Sequence, residues 1–196
     1  MSGYPEKQGL YDPSLEKDAC GVGFIVNVNG VKTASIVENG LLILKRMAHR
    51  GAVGADPKTG DGAGILIQTP HDFFVKAASE IKINLPAQGE YGTGLIFLPL
   101  EKNTAYAVKK EVEKAAKECG QEVLGWRNVP VNKAVLGETA KASCPDFVQI
   151  FIKRSSDINN AEDFERKLFL IRKKAENSVR ASDIQDKKTF YVTILS

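Results

Sequence analysis

Cysteines, histidines and long apolar runs are scarce in this sequence of 196 residues. An odd number of widely spaced cysteines argues against a disulfide framework or a zinc site, and the three are Cys20, Cys119 and Cys144. No apolar run approaches the roughly 20 residues that a membrane-spanning helix needs. Residues 1–19 contain two prolines and several charges without an apolar centre, so they do not resemble a secretory signal. We therefore expect a cytoplasmic protein with free thiols, no metal site and no membrane partner.

A large excess of one charge is also missing. The 27 basic and 24 acidic side chains leave a net charge of +3, which is too small to indicate a nucleic-acid partner. The apolar fraction of 43% and the charged fraction of 26% are typical of a globular domain. The length fits one large domain or part of a bigger one.

Apolar periodicity predicts strands and helices in alternation. The predicted strands cover residues 20–29, 63–68, 95–98, 147–152 and 190–195, and the predicted helices cover residues 34–48, 71–80, 103–118 and 161–180. The first helix is apolar almost all round, which predicts that it is buried. No phosphate-binding βαβ fingerprint accompanies the alternation, so we expect layers of sheet and helix. The apolar run that ends at the last residue suggests a chain cut inside a domain.

Polar residues refine these boundaries. Asn29-Gly30 is a hairpin-turn signal after the first strand. The third helix is predicted to begin at an Asn103 or Thr104 cap and to carry a Glu113–Lys117 pair. The fourth helix is predicted to be capped by Asn159 or Asn160.

The strongest local feature is a cysteine at the start of an apolar strand, in the sequence Lys17-Asp18-Ala19-Cys20-Gly21-Val22-Gly23-Phe24. If the chain is cleaved before Cys20, the new α-amine, with a pKa of about 7.7–8.0, can accept the thiol proton. Gly21 and Gly23 would let the backbone bend close to a substrate. The alternative is a small buried cysteine at a strand start, which this pattern alone favours.

A second block, RMAHRGA at 46–52 followed by GADPKTGDGAGI at 54–65, changes this balance. Together with YDPSLEKDACGVGF, GWRNVPVN, DFVQIFIKR, FERKLFLIRK and FYVTILS, it resembles the type 2 glutamine amidotransferases, most closely the amidotransferase domain of the glutamate synthase large subunits. The resemblance runs through nearly the whole chain in order. It implies an α+β fold of the N-terminal-nucleophile hydrolase type. This is an αββα sandwich of two antiparallel sheets between helices, and we expect it to be incomplete here.

The resemblance also implies roles for individual residues. Cys20 matches the nucleophile, residues 1–19 match a leader (propeptide) that is removed autocatalytically, and residues 20–196 match the N-terminal part of the amidotransferase domain. The matched residues that support the site are Gly21, Arg50, Gly51, Asp61, Gly62 and Gly64. For Arg50 the alternative is an exposed helix-end arginine, and for Asp61 it is a plain turn aspartate. His49 is interpreted as structural, because the terminal amine already supplies a base.

The activity that the resemblance implies is hydrolysis of glutamine to glutamate and ammonia through a Cys20 thioester. In the family the ammonia aminates 2-oxoglutarate in a synthase region. FMN and an iron–sulfur cluster belong to that missing region, so no cofactor is expected in this chain. The implied partners are glutamine as substrate, the downstream synthase region or a second chain, and a small electron-transfer subunit.

Two other functions compete with this one. A phosphate-binding loop needs Gly-Lys-Ser/Thr entering a helix, whereas Lys58-Thr59 precede the glycines and an apolar strand pattern follows. The remaining alternative is a non-catalytic or truncated chain that needs a second polypeptide. The family's oxyanion-hole Asn-Gly pair and its glutamine-binding arginine and aspartate have no matched position here. Asn29-Gly30 and Asn39-Gly40 fall in a predicted turn and a predicted helix.

The leader makes a testable prediction. In the active native protein, residues 1–19 should be absent and the N-terminus should read Cys-Gly-Val-Gly-Phe, because the proposed base is the amine that cleavage exposes. Intact-mass measurement with N-terminal sequencing of the active enzyme checks this. An active enzyme that retains Met1 to Ala19 would contradict the terminal-amine mechanism.

Overall fold

A computed structural model describes residues 6–9, 21–51, 56, 58–60 and 62–196, and of Arg50 only the backbone. The chain divides into two units, one of Met1–Gln68 with Val135–Ala142 and the other of Thr69–Ala134 with Ser143–Ser196. In the described part, the helices are α1 (Ala34–Arg46), α2 (His71–Ser79), α3 (Lys102–Glu118), α4 (Glu138–Ala142) and α5 (Ala161–Ala181). The strands are β1 (Tyr91–Leu98), β2 (Glu122–Asn128), β3 (Asp146–Lys153) and β4 (Tyr191–Leu195).

The second unit is built on one four-stranded antiparallel sheet with the order β2-β3-β1-β4. The central pair is in continuous register from Tyr91 opposite Lys153 to Leu98 opposite Asp146. Strand β4 lies at one edge of the sheet, where it pairs with β1. The strands predicted at 95–98, 147–152 and 190–195 are therefore confirmed, and β1 begins earlier than predicted.

Helices α3 and α5 pack together over one face of this sheet. Phe164, Leu168 and Ile171 of α5 are 4%, 0% and 0% exposed, which confirms the apolar face predicted for that helix. They share one buried cluster with side chains from α3 and from the strands, including Val108, Val112, Ile96, Ile150, Ile152 and Val192. Because strand side chains alternate between the two faces, Ile96 and Leu98 enter this core and their neighbours point away from it.

The opposite face of the sheet carries a smaller aromatic cluster. Tyr91 and Phe151 are buried there with Ala78 of α2, and Phe74 packs against them. The Tyr91 hydroxyl lies 3.1 Å from Nδ1 of His71, and burial raises the pKa of that hydroxyl. The helix predicted at 71–80 is confirmed, and its apolar side belongs to this cluster.

Strand β2 was missing from the sequence prediction. It contains a bulge between Val123 and Gly125, and Gly125 has a φ of 155°. A Cβ at this position would lie 2.5 Å from Cδ1 of Ile83, so the close approach of Ile83 requires glycine. The bulge interrupts the alternation by which a strand is recognised from sequence, and the glycine reads as a turn signal.

The helix boundaries are close to prediction, but two details differ. Helix α3 is capped by Glu101, whose carboxylate accepts hydrogen bonds from the backbone N–H of Asn103 and Thr104 at 2.9 and 2.6 Å. These donors hold the pKa of Glu101 below its ordinary value. The predicted Asn103 or Thr104 cap is therefore wrong, because a glutamate just before them reaches the same orphan amides. Helix α5 begins at the predicted Asn160 cap, whose side chain accepts from the Asp163 N–H at 2.8 Å.

The predicted Glu113–Lys117 pair is also wrong. Glu113 accepts from Lys110 Nζ at 2.9 Å and from Trp126 Nε1 at 3.0 Å, so its carboxylate faces β2 and the preceding turn of α3. An i,i+4 spacing allows a pair but does not form one when a nearer donor competes.

The first unit contains α1, and here two strand predictions and one burial prediction fail. Helix α1 forms as predicted, yet it has no buried residue, and Leu41 and Leu42 remain 45% and 42% exposed. Residues 21–27 and 62–68 form no strand, although Asn29-Gly30 does make the expected turn, with the Gly30 N–H donating to Asn27 O at 2.9 Å. A strand needs a hydrogen-bonded neighbour, and residues 21–27 and 62–68 have no strand partner among the described residues of this unit.

No helix in the described ranges is both long and apolar enough to span a bilayer.

The core of the second unit predicts a contrast between two leucines of α5. Leu168→Ala should lower the free energy of unfolding by about 2–5 kcal/mol, because Leu168 is fully buried and its removal leaves a cavity. Leu170→Ala on the same helix is the matched control, since Leu170 is 48% exposed, and it should change stability by roughly 0.5 kcal/mol or less. Urea denaturation of both variants measures the difference, and equal losses would contradict the assigned core.

Candidate functional site

The proposed nucleophile is not among the residues that the structure describes. Cys20 and Asp61 lie outside the described residues, and of Arg50 only the backbone is described. The structure does describe the other residues matched to the site, which are Gly21, Gly51, Gly62 and Gly64. All four are exposed, and they belong to the first unit.

Helix α1 contacts both segments that flank the candidate site. The Ile43 side chain lies so close to Gly23 that a Cβ there would be 2.6 Å from Ile43 Cγ2. Gly40 of α1 contacts the second segment, because a Cβ on Gly40 would lie 2.9 Å from Cδ1 of Ile65. Both distances are shorter than a normal carbon–carbon contact, so a side chain at Gly23 or Gly40 would require Ile43 or Ile65 to move. The helix thus holds the segment after Cys20 and the segment after Gly64.

This packing changes the interpretation of Gly23. The sequence suggested that Gly23 lets the backbone approach a substrate, but in the structure the space of its missing side chain is occupied by Ile43. Glycine at this position serves the contact with α1. Gly40, which sequence reasoning had not singled out, has the same role toward Ile65. A glycine inside a helix pattern is the signal that could have identified it.

The residues after α1 form a tight helical end. A short 3₁₀ helix covers Ala48–Arg50, and the Gly51 N–H donates to Ala48 O at 3.2 Å. Nδ1 of His49 lies 3.0 Å from the carbonyl oxygen of Arg46. Because a carbonyl only accepts, this His49 nitrogen carries the proton. His49 therefore closes the end of α1, in agreement with the structural role expected for it.

At the matched glycines Gly51, Gly62 and Gly64, no neighbouring atom lies close enough to exclude a Cβ. A Cβ on Gly51 would meet only Ala48 O, at 3.6 Å, which is an ordinary contact. Nothing lies within 4 Å of the Cβ positions of Gly62 and Gly64. Their open surroundings leave the backbone of residues 62–64 accessible.

Asp56 organises the loop that precedes those glycines. Its Oδ1 accepts from the Lys58 N–H at 3.0 Å, and its Oδ2 accepts from the Thr59 hydroxyl at 2.8 Å. Oδ2 also accepts from the N–H of Thr139 at 3.5 Å, which joins segments 83 residues apart. The Lys58 amide and then the Thr59 hydroxyl hold the pKa of the Asp56 carboxyl below its ordinary value. Asp-x-Lys-Thr is a recognisable Asx-turn pattern, so the local half of this arrangement was visible in the sequence.

The other two cysteines lie in the second unit. Cys119 is 9% exposed and belongs to the core beneath α3 and α5. Cys144 is half-buried, and its Sγ lies 3.5 Å from the carbonyl oxygen of Pro145. Neither cysteine stands at the start of the family match, which the proposed terminal-amine chemistry requires. In the described ranges, no cluster of three or more His, Cys, Asp or Glu side chains could hold a metal ion.

Comparison with known proteins adds the family to this geometry. Residues 20–196 match the family model described as class-II glutamine amidotransferases. The chain is 46% identical over 173 residues to the glutamate synthase (NADPH) large chain of Bacillus subtilis, which covers 88% of this chain and 11% of that protein. It is 39% identical over 187 residues to the corresponding large chain of Azospirillum brasilense, covering 95% and 12%.

A plant relative is similar over the same part of the sequence. The ferredoxin-dependent glutamate synthase 1, chloroplastic/mitochondrial, of Arabidopsis thaliana is 37% identical over 175 residues, covering 89% of this chain and 11% of that protein. The chain therefore spans about a tenth of the length of these relatives.

Proposed function

Because the chain belongs to the class II glutamine amidotransferases, we propose that it is the glutaminase part of a glutamate synthase, with Cys20 as its nucleophile. The observation that carries this proposal is where the family match starts. It begins at Cys20 itself, so the 19 residues before it fall outside the match. That boundary supports a leader of residues 1–19 and a domain of residues 20–196 in which Cys20 becomes the first residue. The relatives named as glutamate synthases support the choice within the family.

In the proposed mechanism, the terminal amine of Cys20 takes the proton of its own thiol. The two groups have ordinary pKa values of about 7.7–8.0 and about 8.5, so this transfer is nearly balanced in energy. The thiolate attacks the side-chain amide carbon of glutamine, forming a C–S bond and moving the carbonyl electrons onto oxygen. Collapse breaks the C–N bond, and the terminal ammonium returns its proton to the departing ammonia. Water then hydrolyses the thioester to glutamate and restores the thiol.

The supporting residues are proposed to act by holding the segments around Cys20 in place. Helix α1 contacts the segment that follows Cys20 through Ile43 and the segment that follows Gly64 through Gly40. A misplacement of about 1 Å can cost roughly a hundredfold in rate, so one rigid element in contact with both segments favours catalysis. The residues that we propose to support the terminal cysteine and the neighbouring turn are Gly21, Arg50, Gly51, Asp61, Gly62 and Gly64.

The complete domain is proposed to be a two-sheet αββα sandwich. The sheet β2-β3-β1-β4 would be one of its sheets, with α3 and α5 as the helical layer on its outer face. Support comes from the opposite face, where the Phe97 ring contacts Phe147 edge to face and Tyr191 at a tilt, with ring-centroid distances of 4.9 and 6.0 Å. Tyr191 is 51% exposed, and Leu95, two residues before Phe97 on β1, is 39% exposed. A second sheet would cover these apolar side chains.

The ammonia would be used outside this chain, in a synthase region that aminates 2-oxoglutarate. FMN and an iron–sulfur cluster are assigned to that region. The donor set supports this assignment, because a cluster is held by cysteine thiolates that lie close together, whereas the three cysteines of this chain are widely spaced and Cys119 is buried in the core. The proposed partners are glutamine, the downstream synthase region or a second chain, and a small electron-transfer subunit. The proposed location is the cytoplasm.

Thiol selectivity tests the nucleophile. A glutamine-like electrophile offered to the processed, full-length enzyme should label Cys20 and leave Cys119 and Cys144 unlabelled, as peptide mass mapping would show. Cys20→Ser should abolish glutamine-dependent synthesis and preserve ammonia-dependent synthesis, because only the first needs the thiol. Cys144→Ser is the matched control and should keep both activities. An equal fall of both activities in Cys20→Ser would assign Cys20 a structural role instead.

The 196-residue chain by itself should show no glutamine turnover above background, even when Cys20 is exposed as its first residue. The tetrahedral oxyanion needs preorganised donors, and the loss of one such donor costs about 10²–10³ in rate. The family's oxyanion and glutamine-binding residues have no matched position in this sequence. The edge of β4 should also promote self-association of the isolated chain.

Glutamate release and sedimentation of the isolated chain measure these two effects. The same assays on a chain extended by the downstream segment are the control, and the extension should restore turnover and reduce association. Robust turnover by a monomeric 196-residue chain would show that the pocket is complete within it.

A further inference from the structure

Asp56 and Gly137 form a fitted pair in the first unit. The Asp56 carboxylate occupies the place where a side chain at position 137 would begin, so a Cβ on Gly137 would overlap Oδ2. The same Cβ would lie 2.5 Å from Oγ1 of Thr59, which is itself hydrogen-bonded to Asp56. The carboxylate therefore fits only because residue 137 is glycine.

This pair joins the loop to a distant part of the sequence. The Asp56 carboxylate accepts hydrogen bonds from the Lys58 N–H and the Thr59 hydroxyl in its own loop. It also accepts one from the N–H of Thr139 in α4. Loop and α4 are both parts of the first unit, although more than 70 residues separate them in the sequence. The Asp56 carboxylate thus shapes the turn of its own loop and also links that loop to α4.

The loop beyond Asp56 is then held at two points. Thr59 is held by the Asp56 carboxylate, and Ile65 is held against Gly40 of α1. A chain spans at most about 3.6 Å per residue, so fixing Thr59 and Ile65 limits where Gly62 and Gly64 can lie. Nothing lies within 4 Å of the Cβ positions of Gly62 and Gly64, which stand between the two points.

We propose that Asp56 is a positioning residue, which together with Gly137 sets the place of the Gly62–Gly64 segment. The inference rests on the proposed function, which gives that segment its role. Asp56 acts through the backbone and does not touch the substrate. The donors that surround its carboxylate keep it ionised, which suits an anchor and opposes a role as proton donor.

A double-mutant cycle in the full-length, processed enzyme tests this assignment. Asp56→Ala removes the anchor, and Gly137→Ala forces the carboxylate out of its place, so each should lower the glutamine-dependent kcat by roughly tenfold or more. In the double variant the new methyl group fills space that the carboxylate has left, and the Thr59 hydroxyl, which has lost its acceptor on Asp56, can rotate away from it. Its kcat should therefore equal that of Asp56→Ala and not fall to the product of the two losses.

The rates are expressed per reactive site, counted by labelling Cys20 with a glutamine-like electrophile, so that poorly folded molecules do not count. Ammonia-dependent activity should stay unchanged in all variants. Asp56→Asn should fall between wild type and Asp56→Ala, because it keeps one acceptor oxygen. Glu138→Ala is the matched control, since the Glu138 side chain is 92% exposed on the same turn, and it should keep the wild-type kcat.

Two results would overturn the positioning role of Asp56 without affecting the proposed function. One is a wild-type kcat per site in Asp56→Ala, and the other is a kcat in the double variant that falls by the product of the two single losses. Cys20→Ser is measured in parallel. If it loses glutamine-dependent activity while Asp56→Ala does not, the positioning role fails and the proposed function stands. If Cys20→Ser retains glutamine-dependent activity, both are wrong.

Discussion

The burial of one face of an antiparallel sheet beneath two helices is the constraint on which the second unit depends. Side chains from α3, α5 and the strands form one continuous cluster in which Leu168, Ile171 and Ile150 are completely inaccessible to solvent. Apolar burial is the main favourable term in folding, and it grows with the area removed from water. The caps, the salt bridges on α5 and the bulge in β2 adjust this core, but none of them could replace it.

The first unit follows a different rule. Its helix α1 buries no residue, so little apolar burial holds this unit among the described residues. Instead, α1 meets its neighbours where a glycine removes the side chain that would keep them apart, at Gly23 and Gly40. Asp56 and Gly137 repeat the principle with a carboxylate in place of a methyl group. Such contacts specify position more than they supply stability, which is the requirement of a site whose groups must be placed within an ångström.

The contacts of the first unit suit the proposed function. Catalytic groups are commonly carried by loops and by the ends of helices and strands. In the proposed function, the reaction needs little chemistry from the rest of the chain, because the nucleophile supplies its own base. What the chain must supply is geometry around Cys20. The contacts of α1 and Asp56 are of that kind.

The sequence by itself determined helices α1, α2, α3 and α5, three of the four strands and the buried face of α5, since each of these follows from local periodicity. It also identified the protein family, because the family match begins at Cys20 and extends along the remaining chain. It did not predict the short helix α4. Tertiary contacts decided the rest. They formed β2 despite Gly125, moved the cap of α3 to Glu101 and turned Glu113 toward Trp126. They also left residues 21–27 and 62–68 without strand pairing, because a strand exists only where another backbone accepts its hydrogen bonds. The pairing of Asp56 with Gly137 could not be read from sequence for the same reason, since nothing local reveals which residue will face a carboxylate from 81 positions away.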